Sequence, residues 1–122
     1  MGVNTNIVIS PKQVLTIFNL LRDIGLNTSH RGTKYINKAI QIISTNDNDI
    51  IVIEDVYKTI ANIYGNITPK QVKNDITYAL NSRTEEKTIK NFEKVFGFEY
   101  DDYIFTNKTI IEEIARILKY EK

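Results

Sequence analysis

Ile60-Ala61-Asn62-Ile63-Tyr64-Gly65-Asn66-Ile67-Thr68-Pro69-Lys70-Gln71-Val72-Lys73-Asn74-Asp75-Ile76-Thr77-Tyr78-Ala79-Leu80 reads as one helix, a short turn containing glycine, and a second helix opened by Thr-Pro. That is the layout of a helix-turn-helix. In the second helix Val72, Ile76, Ala79 and Leu80 recur at the spacing of a buried stripe. Lys70, Lys73, Asn74, Thr77 and Asn81 fall on the other side, at about 100° per residue. This outward stripe holds no acid. It offers cations for phosphates and an amide able to read a base edge. An ordinary helical hairpin in an all-α domain has the same periodicity, and periodicity alone does not choose between them.

The turn chemistry sets the boundary. Gly65 can take the left-handed conformation that ends a helix. Thr68 suits the N-cap, Pro69 the first helical position, and Gln71 completes the capping-box spacing.

Working outward, the remaining chain reads as four more helices. Residues 1–9 are expected to be a loose arm, with the helical domain covering 10–122. Ser10-Pro11 with Gln13 repeats the capping signal and opens a helix that stops at Gly25, with Val14, Ile17, Phe18, Leu21 and Ile24 buried. Leu26 to Gly32 reads as a loop carrying His30 and Arg31. A helix over about 33–45 buries Tyr35, Ile36, Ala39, Ile40 and Ile43. Asn46-Asp47-Asn48-Asp49 is a turn, and Ile51 and Val52 exclude an EF-hand loop there. The helix before the turn spans about 50–64, although Ile50-Ile51-Val52-Ile53 alone would pass for a strand. The helix after it is 69–82. A further one covers 85–96 with Ile89, Phe92, Val95 and Phe96 inside. Phe98 to Phe105 is aromatic and acidic without a period, a packed loop or a short β element. The last helix, about 107–120, buries Ile110, Ile111, Ile114, Ile117 and Leu118.

At 122 residues the chain has the length of one domain. Its 16 Lys and Arg nearly balance 15 Asp and Glu, so any electrostatic footprint must be local. Lys58 to Lys90 holds six bases against three acids, and Arg31 to Lys38 three bases and no acid. The absence of cysteine excludes a disulfide framework and thiol chemistry. No apolar run reaches membrane-spanning length, no secretory leader is visible, and a cytoplasmic protein is expected. Catalysis is not expected. His30 has no partner nucleophile or carboxylate placed by sequence, and active sites need several convergent groups. The adjacent Asp101 and Asp102 read as a solvated turn rather than a metal site. No cofactor is called for.

Several segments together resemble a known family. They are Ile24-Gly25-Leu26, Arg31-Gly32, Tyr35-Ile36 and Lys38-Ala39-Ile40, then Ile60-Ala61 and Thr68-Pro69 with Val72, Ile76 and Ala79. Phe96-Gly97-Phe98, Thr106-Asn107 and the Ile-rich last helix complete the set. In this order, from about Val14 to Leu118, they resemble the C-terminal DNA-binding domain of the master response regulator of sporulation in endospore-forming bacteria. The resemblance implies an all-α six-helix bundle containing a helix-turn-helix, with the helix from Pro69 in the major groove of duplex DNA.

The family's recognition helix carries several arginines and a glutamate that touch bases. This chain has Gln71, Lys73, Asn74 and Thr77 there, the expected base contacts. Tyr78 stands where the family has histidine. Expected phosphate contacts are Lys70, Tyr78, His30, Arg31, Lys34 and Arg83. The turn is longer, with Gly65-Asn66, and so is the segment from Arg83 to Gly97. The resemblance therefore carries the fold but not the family's target sequence. The residues ahead of Val14 are too few for the family's receiver domain, so the chain reads either as a stand-alone effector or as a trimmed piece of a longer protein.

The sequence reading is thus a double-stranded DNA-binding protein, a transcriptional regulator that pairs as a homodimer or tandem dimer on DNA. Two alternatives share the fold. One is a protein-interaction module or antagonist of a regulator, and the other a DNA-bound accessory factor in plasmid transfer or replication.

Overall fold

The computed structural model describes residues 10–45 and 52–120. The expected arm 1–9, the turn at 46–49 and the start of the third helix lie outside the described residues. Six α-helices follow in order: α1 Pro11–Asp23, α2 Arg31–Ser44, α3 Ile53–Tyr64, α4 Pro69–Asn81, α5 Glu85–Phe96 and α6 Asn107–Tyr120. A single 3-10 turn, Asp102–Ile104, lies between the last two. No strand occurs among the described residues, so the Phe98–Phe105 segment is a packed loop and not a β element.

Both proline-led helices start as their sequences dictate. At α1 the Ser10 side chain accepts from the Gln13 amide and the Gln13 side chain reaches back to the Ser10 amide. Thr68 and Gln71 make the same reciprocal pair at α4. Each pair satisfies two of the amides that a helix start leaves free. Gly65 ends α3 with φ 70° and ψ 164°. Its φ is positive, but it is extended rather than left-handed helical, and Asn66 follows at φ 56°.

The core is built around α2, which touches α1, α3, α4 and α6 and packs most extensively on α4. Ile36, Ala39 and Ile40 of α2 are fully buried, with Val56 and Ile60 of α3, Val72 and Ile76 of α4, and Ile110, Ile111 and Ile114 of α6. Ile17, Leu21 and Ile24 close the core from α1, and Phe92 from α5.

Several expectations are corrected. The second helix begins at Arg31, two residues early, because the backbone carbonyl of His30 accepts from Thr33 and Lys34 without any side-chain cap. Ile89 is 52% exposed. Thr88 takes the inward place, since its hydroxyl donates to the Ile24 carbonyl, with Thr84 O also within reach at 3.1 Å. Tyr64 is exposed at the end of α3, its ring edge-on to Tyr35 at 5.2 Å. Val14, Phe18, Val95, Ile117 and Leu118 are only partly buried.

The C-terminus of α1 meets α5 through polar contacts. The Thr84 amide donates to Gly25 O, Thr88 Oγ1 to Ile24 O, and Asn91 Nδ2 to Asp23 O at 2.7 Å. Those carbonyls would otherwise be the unsatisfied end of α1.

Candidate nucleic-acid interface

The α3–turn–α4 unit presents the predicted stripe. Val72, Ile76, Ala79 and Leu80 are buried, while Lys70, Gln71, Lys73, Asn74, Thr77, Tyr78 and Asn81 are exposed. Asp75, the one acid of the helix, is partly covered and lines the cleft against α2. The open face of α4 thus carries two ammonium groups, Lys70 and Lys73, with Asn74 beside them. Neither lysine has a carboxylate within salt-bridge distance among the described residues.

The helix is fixed from two sides. On the α2 side, Gly32 lies directly against α4. A Cβ there would sit 1.9 Å from the Asp75 carbonyl oxygen and 2.8 Å from the Ala79 Cβ. On the α6 side, Asn107 Nδ2 donates to Thr77 Oγ1 at 3.1 Å, to Lys73 O at 3.2 Å and to Tyr57 Oη at 3.1 Å. One amide thereby ties α3, α4 and α6 together. Burial raises the Tyr57 phenol above its ordinary value, while the Asn107 hydrogen bond acts in the opposite sense and Glu54 adds to the rise. Sequence reasoning did not single out Asn107 for this role. Its place beside Thr106 at the start of α6 was the available signal, but its partners are 30 to 50 residues away in sequence.

The expected contact residues do not all reach one surface. His30, Arg31 and Tyr78 come together. They line a cleft of about 400 Å³ at the start of α2, with Asp75 on the same wall. The His30 and Tyr78 ring centroids are 5.5 Å apart. Lys34 is exposed but lines a different groove, between Val14, Phe18 and Tyr64.

Arg83, expected at a phosphate, is turned inward and engaged within the protein. Only 14% of its side chain is exposed; it pairs with Asp102 at 3.1 Å. It also donates to Leu80 O at 2.8 Å and stacks 4.0 Å over the Phe105 ring. Asp102 further accepts from Tyr100 Oη, so the Asp101-Asp102 turn is a structural junction. Gln71 and Thr77 are exposed but already engaged. The Gln71 side-chain oxygen accepts from the Thr68 amide at 2.8 Å, leaving its NH₂ for a base. Thr77 Oγ1 donates to Lys73 O at 3.0 Å. Lys73 and Asn74 stand exposed on the same face.

No group of three or more His, Cys, Asp or Glu side chains is placed to hold a metal ion among the described residues. No described helix is long and apolar enough to cross a membrane.

No curated protein and no solved structure matches the chain. The family model described as the sporulation initiation factor Spo0A C terminal matches residues 17–118. That span runs from the buried Ile17 of α1 to Leu118 in the last helix and contains both α4 and the residues that brace it. The chain therefore belongs to the Spo0A C-terminal family, the DNA-binding effector domain of a sporulation regulator.

Proposed function

We propose that this protein binds double-stranded DNA with sequence preference and regulates transcription, laying α4 into the major groove. The observation that carries this reading is the exposed face of α4. Lys70, Lys73 and Asn74 stand open on a helix braced by α2 and α6, and the helix's only acid faces the α2 cleft. Lys73 and Asn74 are the base readers, with Gln71 contributing its free NH₂. Lys70 contacts phosphate, joined at the flank by Arg31, His30 and Tyr78. A bundle of this size covers one half-site, so two copies pair on DNA, side by side or symmetrically.

A duplex-binding titration at two salt concentrations tests the reading. Neutralising several phosphates releases counterions, so the affinity falls steeply as salt rises. A flat salt response, or no binding at low salt, would favour a protein-interaction module on the same fold.

A further inference from the structure

Thr77 follows Asn74 by three residues on the exposed face of α4, yet its hydroxyl is turned back onto the protein. Its hydrogen goes to Lys73 O at 3.0 Å, and its oxygen accepts from Asn107 Nδ2 at 3.1 Å. A hydroxyl has one hydrogen to give. Thr77 therefore has no donor left for a base edge while this arrangement holds. What the residue leaves for the outer face is its γ-methyl group. Among the base edges of the major groove, the C5 methyl of thymine is the apolar feature that such a group can meet.

We propose that Lys73 O and Asn107 together hold the Thr77 hydroxyl against the protein, so that Thr77 reads DNA as an apolar group and selects a thymine by its C5 methyl. This rests on the reading of α4 as the DNA-contacting helix and names one base that it prefers. The Asn107 amide has two hydrogens for three acceptors, so loss of the Thr77 oxygen still leaves it Tyr57 Oη and Lys73 O. Thr77→Val should therefore fold normally.

The test uses the full chain and the duplex it selects from a random pool. Each thymine of that duplex is replaced in turn by 2′-deoxyuridine, which lacks only the methyl. At one position the replacement should weaken wild-type binding about fourfold, the value of one buried carbon. Thr77→Val should behave as the wild type. Thr77→Ser should lose a similar factor on the thymine duplex and become indifferent to uracil there. The proposal is overturned if Thr77→Ser binds like the wild type while Thr77→Val is weakened, because the hydroxyl would then be the reader. It is equally overturned if no thymine replacement matters. A wild-type chain that selects no duplex at all would remove the DNA reading beneath it.

Discussion

Gly32→Ala adds a single methyl group at the tightest point of the molecule. The new Cβ would lie 1.9 Å from the Asp75 carbonyl oxygen, 2.5 Å from its carbon and 2.8 Å from the Ala79 Cβ, whereas ordinary contact begins at 3.4 Å. Relief along the shortest of these lines needs 3.4 − 1.9 = 1.5 Å of separation. Two of the three obstacles are backbone, so no side-chain rotation supplies it. The helices α2 and α4 must part where they pack most extensively. Overpacking of this kind costs about 1–3 kcal/mol. Alanine's helical advantage over glycine returns at most about 1 kcal/mol. Because backbone must move, the upper end of that cost applies, and a net loss of about 2 kcal/mol is expected from urea unfolding followed by circular dichroism. Binding to the selected duplex should weaken further under conditions where the variant is fully folded, because α4 is displaced relative to the α2 cleft. Adding Ala79→Gly should not restore stability, since the carbonyl remains. Unchanged or increased stability of Gly32→Ala would refute the close approach and the bracing role derived from it.

Three further outcomes are expected. Asn74→Ala should cost roughly 1–3 kcal/mol on a preferred duplex carrying adenine beneath it and much less on scrambled DNA, while Lys70→Ala should weaken both alike; competition binding measures the difference, and equal losses for Asn74→Ala would show that it reads no base. Arg83→Ala should destabilise the fold by about 2 kcal/mol through the lost bond to Leu80 O and the lost stacking, yet leave the salt dependence of DNA binding unchanged; a shallower salt slope would return Arg83 to the phosphate contacts. Burial raises the Tyr57 phenol above its ordinary value of 10.0, so the folded state holds this proton more tightly than the unfolded chain. Its contribution is complete below pH 10 and declines as the pH rises through the folded-state value. Unfolding free energy measured between pH 9 and about 11 should fall, and Tyr57→Phe should flatten that decline.

The parts of the fold legible in sequence were those with a local cause. Two capping boxes, each with proline at the first helical position, marked α1 and α4 because the interacting groups lie three residues apart. The stripe of Val72, Ile76, Ala79 and Leu80 placed Lys73 and Asn74 outward by helical period alone. The misreadings share a different origin. Isoleucine at position 89 looked like core, but its neighbour Thr88 finds a carbonyl 64 residues away and takes the buried place. Arg83 looked like a surface cation, but Phe105 and Asp102 wait for it on the α5–α6 connection. Thr77 looked like a polar reader, and its hydroxyl is engaged from another helix. The start of α2 carried no capping side chain, so nothing local announced it. In each case tertiary packing supplied what hydrophobic period and capping chemistry could not.

The polar seam between α1 and α5 bears on how the domain opens as well as on how it holds. Asp23, Ile24 and Gly25 offer consecutive carbonyls, and donors from Thr84, Thr88 and Asn91 meet them one for one. If α5 lifts away, three acceptors and three donors lose their partners together, and Thr88 is no longer sheltered. The first and fifth helices are in this sense one cooperative unit, spanning most of the chain between them. Their amides should exchange with solvent as a group.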